Sequence, residues 1–486
     1  VSAAGGVGPP ARRNEVAATD RAVRAGVPAG TRLVLAPGAR RLGAGLIGGG
    51  SPWRLLRLTP AGDLWIDRWA AGAGVPDEPG VRQLARRLVE GGLAAPAPAP
   101  DTLTTVTVVV PCRDRADGLA ATLDALDDDI GVVVVDDASD RPDTTRSALC
   151  GRGRTTLVEA QRHGGPAAAR NLGWRDPAAD GELIAFIDTD CLPPPGWTGA
   201  LAGHFRDPAV GAVAPRIVAR PAPPAPTWLA AYEAARSPLD LGDQPAPVRP
   251  RSTVPYVPTA ALVVRRSALV ELGGFDEELV TGEDVDFVWR LDRAGWSVRY
   301  DPGVVVDHPV RADLRSWWRQ RAGYGRAAAP LAARHGRAVA PLAISRLGLL
   351  AWVLVGLRLP WAGAAVAVVA ARRAGRTPAS GPLPRRAIAS IVLAGQLAAG
   401  RGLADALRRA WWPAALLAGL SSRRLRPALL AVTVLPPLLE WRRRRPSLDP
   451  ATWTALRLAD DLAYGAGVWS GVIRRRRAGC LLPDIS

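Results

Sequence analysis

The sequence contains no lysine and no methionine, and only four cysteines and four histidines. Its basic side is therefore arginine alone, 62 residues against 45 acids, for a net charge of +17 and a pI of 11.1. Beside abundant Ala, Gly and Pro, that bias marks a GC-rich genome, so much of the charge is compositional background. Nucleic-acid binders concentrate their charge in a stripe interleaved with aromatics. Aromatics make up only 5% of this chain, and its densest basic runs, Arg442 to Arg445 and Arg474 to Arg477, flank apolar segments instead. No nucleic-acid partner is expected; that placement suits an anionic membrane surface. Cys112, Cys150, Cys191 and Cys480 form no C-x-x-C pair, and free buried thiols in a reducing cytosol are expected. No basic stretch followed by an apolar core opens the chain, so no signal peptide is expected.

What is present divides the chain into five stretches. Residues 1–25 are Ala/Gly-rich without periodicity and read as disordered. Residues 26–94 read as a small α+β module: strands at Thr31 to Leu35 and near Ser51 to Leu56, then a helix over Val81 to Leu88 stopped by Gly91-Gly92. Residues 95–104 are an Ala/Pro linker. Residues 105–335 alternate short apolar runs with helical stretches; Val106 to Val110, Val132 to Val135, Leu183 to Ile187 and Ala260 to Val264 predict strands of a largely parallel sheet covered on both faces. Pro221 to Pro226 and Pro245 to Pro258 read as irregular loops. Residues 336–486 form an apolar, basic, helical region. Within it only Leu347 to Ala371 approaches the roughly 20 residues a spanning helix needs, and Arg358 and Pro360 interrupt it. The shorter runs read as interfacial helices, re-entrant hairpins or core helices. The expectation is attachment to the cytoplasmic face of the cell membrane, with at most one or two spans.

Four signals carry chemistry. Asp188-Thr-Asp190 is a D-x-D pair, a pattern that Asp127-x-Asp129 and Asp284-x-Asp286 also match. Only the first follows a buried strand and precedes a turn, and the carboxyl ends of strands are where open α/β sheets bind ligands. A hard divalent cation is suited by one or two carboxylates plus diphosphate oxygens. Asp136-Asp-Ala-Ser139 ends the second strand and suits a helix N-cap, a base-binding loop, or both. Gly164-Gly-Pro-Ala-Ala-Ala-Arg170-Asn171 opens a helix, and Arg170 is placed to reach a phosphate. Thr281-Gly-Glu283-Asp284 reads as a helix start in which Thr281 caps and Asp284 completes a capping-box-like pattern. Asp286 with Arg290 reads as a surface i, i+4 pair.

In this order and spacing the signals resemble the family-2 glycosyltransferases of GT-A fold. The resemblance rests on Val108-Val-Val-Pro-Cys-Arg-Asp-Arg115, Val135-Asp-Asp-Ala-Ser139, Gly165 to Asn171, Phe186-Ile-Asp-Thr-Asp190, Gly273-Gly-Phe-Asp276 and Gly282-Glu-Asp284. It implies a Rossmann-like domain in which Pro111, Arg113 and Asp136 hold the nucleotide base. Arg170, Asp188 and Glu283 complete the nucleotide-sugar site, and Asp188, Asp190 and His308 hold Mg²⁺ or Mn²⁺. Asp284 is then the base that deprotonates the acceptor hydroxyl. Processive relatives carry Q-x-x-R-W, whereas Arg315-Ser-Trp-Trp-Arg-Gln-Arg321 departs from that order. Trp317 and Trp318 are candidates for stacking on sugar rings, or for one side of an interfacial helix.

The front module is similar to that of mycofactocin-system glycosyltransferases, and in outline to the small peptide-recognition domains of ribosomal-peptide maturation, which take a peptide by strand addition. The resemblance implies an inverting transfer of glucose from a UDP-sugar donor to a peptide-derived redox cofactor, premycofactocin. Two alternatives stay open: a cell-envelope enzyme with a lipid-linked or polysaccharide acceptor, and a membrane-tethered peptide-binding scaffold whose transferase fold is silent.

Overall fold

A computed structural model of the chain describes residues 26–43, 45–221, 226–310, 313–374 and 385–485. The stretch expected to be disordered, residues 1–25, and most of the loop expected at 221–226 lie outside the described residues. Two compact units emerge: residues up to Val218 together with Leu239–His308, and Ala219–Pro238 together with Pro309–Ser486.

The first unit opens with β1 (Arg32–Leu35), the meander β2 (Arg40–Gly43), β3 (Leu46–Gly49) and β4 (Arg54–Arg57), then α1 (Pro60–Ala70), α2 (Pro79–Glu90) and β5 (Ala94–Ala97). Thr59 caps α1 by accepting from the Gly62 N–H at 3.1 Å, and both helices carry proline in their first turn, where a missing N–H costs nothing. Trp69, Leu88, Ile47, Leu33 and Leu93 close a small core between helices and strands. The residues expected as a linker do not behave as one. Ala94–Ala97 pair antiparallel with β1, Leu33 opposite Pro96. A proline is tolerated there because a two-stranded pair consists of edges only.

The large sheet and its covering helices begin with β6 (Val106–Cys112), α3 (Ala116–Asp124), β7 (Gly131–Asp136), α4 (Pro142–Ala148), β8 (Thr155–Glu159), α5 (Gly165–Arg175), β9 (Leu183–Ile187), α6 (Trp197–Ala202) and β10 (Val210–Arg220). After α7 (Thr227–Arg236) follow β11 (Ala246–Pro247), β12 (Ala261–Arg265), α8 (Arg266–Leu272), α9 (Glu283–Arg293) and β13 (Ser297–Pro309). Strand order is β11-β13-β10-β12-β9-β6-β7-β8. The β9-β6-β7-β8 half is parallel, and bonds from Ser297 to Ala209 and from Val310 to Arg220 run β13 parallel to β10; β12 runs antiparallel to both β9 and β10, and β11 to β13. The largely parallel sheet expected from sequence is thus mixed. Hydrophobic runs mark burial on both faces but carry no direction. The four expected strands fall on β6, β7, β9 and β12, all fully apolar-buried at their centres.

The front module is joined to the eight-stranded sheet by charge. Arg86 of α2, wholly buried, donates to Asp207 at 2.7 Å and lies 3.5 Å from Glu90, while Arg299 of β13 donates to the other Asp207 oxygen. Burial alone would raise the Asp207 carboxyl, but Arg299 and Arg86 hold it below the ordinary carboxylate range. Removing one partner of such a set leaves uncompensated buried charge, which costs about 3–5 kcal/mol. Asp207→Ala should therefore lower the urea midpoint by that equivalent, and an unchanged midpoint would show that the network contributes nothing.

The second unit gathers α7 with α10 (Leu314–Arg326), α11 (Ala328–His335), β14 (Ala343–Ile344), α12 (Arg346–Gly356), α13 (Pro360–Ala374), α14 (Arg385–Arg409), α15 (Trp412–Ser421), α16 (Arg426–Arg444), α17 (Pro450–Arg475) and β15 (Asp484–Ile485). The boundary expected at residue 335 falls instead at His308. Leu229, Tyr232, Trp317, Trp453 and Leu456 form its main core. Trp317 is fully buried and donates to Glu233 at 2.8 Å, so it is no stacking platform for sugars. Arg321 joins the same cluster, donating to Asp460 at 3.1 Å. The run Leu347 to Ala371 breaks at Arg358, whose φ is 66°, into helices of 11 and 15 residues. No helix among the described residues is long and apolar enough to cross a membrane. The four thiols are free, Cys150 exposed and the other three buried.

Candidate nucleotide-sugar site

The site lies at the carboxyl ends of β6, β7 and β9, where adjacent strands release their loops on one edge of the sheet. The β6 loop, carrying Pro111 and Arg113, is tied to the β7 loop in both directions. The Asp114 N–H donates to Ser139 at 2.9 Å, and the Asp140 N–H donates to Asp114 at 2.7 Å. Arg113 remains partly exposed beside Asp114.

Asp136 is 2% exposed; one carboxylate oxygen accepts from the Ser139 N–H at 2.7 Å, and the other, Oδ2, is buried without a partner. The expected N-cap is absent: α4 begins after Arg141, and Asp136 caps its own tight turn instead. Asp137 fixes the neighbouring loop by accepting from the Gly164 and Gly165 N–H groups at 2.7 and 2.8 Å and meeting His163 at 2.7 Å. Nothing in the sequence singled out that lock, because its partners are 26 to 28 residues apart.

Arg170 departs from expectation. It is 3% exposed, and its two terminal nitrogens donate to Asp188 at 2.8 Å and to Glu283 at 3.0 Å, with its guanidinium over Phe275 and its Nε buried without a partner. In this arrangement the guanidinium holds two carboxylates together. Asn171 beside it clasps the following loop: it donates to the Phe275 carbonyl and Glu277, both at 2.8 Å, and accepts from the Phe275 N–H at 2.9 Å. Gly274 makes that clasp possible, since its φ is 79° and a Cβ there would meet Asn171 at 2.3 Å.

Asp190 sits between Arg115, at 2.9 Å, and His308, at 3.5 Å. Arg115 was legible only as part of the motif, not as a partner. Among the described residues no three His, Cys, Asp or Glu side chains converge into a preformed metal cage. Asp190 and His308 lie side by side, and Asp188 is held by Arg170. A carboxylate beside an imidazole suits a hard cation which brings most of its oxygens on a bound diphosphate, as Mg²⁺ sites built from one or two carboxylates do.

Asp284 stands one residue into α9. The N-cap is Gly282, with φ 86°, not Thr281, and the capping box does not form; Asp284 accepts from the Val285 N–H at 2.7 Å. Burial first, and then the neighbouring Glu283 charge, push the Asp284 carboxyl up to about 7. Such a value suits a general base working near neutrality. Asp286, expected on the surface, is 2% exposed, and its 2.7 Å partner Arg290, itself partly exposed, ties the helix to the Leu272 and Gly274 carbonyls.

The family model for glycosyl transferase family 2 matches residues 107–273. A pre-mycofactocin glycosyltransferase of Mycobacterium tuberculosis is 42% identical over 451 residues, spanning 90% of this chain and 94% of that protein. A glycosyltransferase of Haloferax volcanii, AglE, is 24% identical over 221 residues, 43% of this chain and 68% of its own. Among solved structures, a mannosyltransferase of Pyrobaculum calidifontis in complex with GDP-Man and Mn²⁺ is 26% identical, covering 61% of this chain and 82% of that one, at a TM-score of 0.37.

Proposed function

The chain belongs to the mycofactocin-system branch of the family-2 glycosyltransferases, and from that membership we propose that it transfers glucose from UDP-glucose to premycofactocin with inversion. The observation that carries the mechanism is Asp284, half-buried at the head of α9 and sharing one carboxylate cluster with Asp188 through Arg170 and Glu283. Asp284 takes the proton of the acceptor hydroxyl as that oxygen bonds to the anomeric carbon. The bond from that carbon to the diphosphate oxygen breaks on the opposite face, its electron pair leaving with UDP. The unpartnered Asp136 oxygen suits an N–H of the uracil ring, which would satisfy a buried acceptor that otherwise has no donor. A divalent cation held by Asp188, Asp190 and His308 would neutralise charge on the departing diphosphate. The short edges of the β2-β3-β4 meander suit a peptide strand, the recognition mode its likeness to peptide-binding modules implies.

Asp190→Ala should abolish metal-dependent UDP binding by calorimetry; equal heats with and without Mn²⁺ in the unaltered protein would remove Asp190 from that role. The acceptor is tested by mass spectrometry of cofactor extracts from a deletion strain. The hexose ladder on the cofactor should vanish. A persisting ladder would turn attention to a lipid-linked acceptor, which the exposed apolar side chains of the C-terminal helices also suit.

A further inference from the structure

We propose that α12 to α16 of the second unit form a monotopic docking face that lies on an anionic lipid bilayer without crossing it. Of 31 exposed large hydrophobic side chains among the described residues, 17 fall between Leu350 and Leu439. Scattered exposed leucines need no explanation, but a concentration of this kind marks an interaction surface. The hairpin of α15 and α16 is its clearest part. All of α15 is apolar except its final serine, yet not one of its residues is buried. Leu416, Leu417 and Leu420 are 56, 64 and 66% exposed, and Leu430 and Leu435 continue the surface along α16.

A membrane-spanning role is disfavoured by length and composition together: no helix among the described residues is both long and apolar enough to cross, and the ten residues of α15 make only about 15 Å, half the roughly 30 Å hydrocarbon core. A surface role is favoured by charge. From Arg346 to Leu439 the only acid is Asp405, whereas exposed arginines border the apolar helices: Arg358, Arg372 and Arg373, then Arg423, Arg424 and Arg426, with Arg442 to Arg445 at the end of α16. Apolar side chains flanked by cations form the pattern by which a helix settles among the headgroups of anionic lipid. A second copy of this chain is disfavoured as the occupant, because two such faces would bring their arginines together.

The full chain should float with vesicles containing about one-third phosphatidylglycerol and stay behind with pure phosphatidylcholine vesicles, and added salt should release it. Arg423→Gln with Arg424→Gln should weaken partitioning by about 30-fold, given roughly tenfold per 1.4 kcal/mol and about 1 kcal/mol per arginine. Leu416→Ser with Leu417→Ser and Leu420→Ser should abolish flotation while UDP-glucose hydrolysis and the melting temperature are retained. Hydrolysis is read on the same samples, so loss of docking and failure of the transferase reading are distinguishable. Absence of flotation of the unaltered chain on anionic vesicles would overturn the proposal. So would a dimer in sedimentation that the leucine variant dissociates while vesicle binding is unaffected.

Discussion

Asp284→Asn should lose about 10²–10⁴-fold in turnover, the contribution of a positioned general base, while UDP binding survives. The same substitution should raise the melting temperature above neutral pH. The sign follows from the raised carboxyl. A carboxylic acid whose folded pKa lies at about 7 instead of 3.8 binds more protons in the folded than in the unfolded chain between those values. Stability attached to the group is then present at acid pH and lost as pH rises to about 7. Asparagine carries no charge to bury, so the variant gains at pH 8 and matches the unaltered protein near pH 4. In the unaltered enzyme, kcat/KM should rise with pH through a limb near 7, since that ratio reports the free enzyme's essential base. An acid limb near 4 would place the base elsewhere, and so would a variant that keeps turnover. Opposite movement of stability and activity is the expected signature of a carboxylate held where the fold alone would not keep it charged.

The elements that could be read from sequence are those whose pattern is local. Val106 to Val110 and Leu183 to Ile187 are uninterrupted apolar runs of strand length, and both are strands at the sheet centre. Strands β10 and β13 escaped notice because glycine, proline and charged residues interrupt them, as in Ser297-Val-Arg-Tyr-Asp-Pro-Gly. Ser297 and Arg299 among their polar members are buried. Arg299 is buried because Asp207, 92 residues away, receives it. The Ala/Pro stretch at β5 misled for a related reason: proline lowers strand propensity, but an edge strand asks little of its outward N–H groups. At the site, the acids were visible as types at strand ends. Their partners were not, because an ion pair between Arg170 and Glu283 spans 113 residues and leaves no periodic trace. Arg170 reads from its chemistry as a phosphate ligand, whereas its burial and its two carboxylate partners favour a positioning role.

Arg170→Met should be the most disruptive single substitution in the site. The guanidinium is the shared counter-charge of Asp188 and Glu283, and it also holds down the Asp284 carboxyl. Taking it away leaves carboxylates crowded together at the sheet edge, and breaking a buried pair from one side costs about 3–5 kcal/mol. The chain should respond by protonating. With Arg170 gone the Asp284 carboxyl moves further up, so the limb of kcat/KM shifts to higher pH as turnover falls. Glu283→Gln in the Arg170→Met background should restore part of the lost stability, because it removes one of the stranded charges; a coupling of about 0.5–3 kcal/mol is expected for residues in direct contact. A phosphate ligand predicts the reverse set of results. Arg170→Met would then weaken UDP binding, leave the melting temperature and the pH limb where they were, and show no coupling to Glu283. The thermal melt and the pH profile together separate the two roles before any donor complex is solved, and the 2.8 and 3.0 Å bonds from Arg170 to Asp188 and Glu283 favour the first.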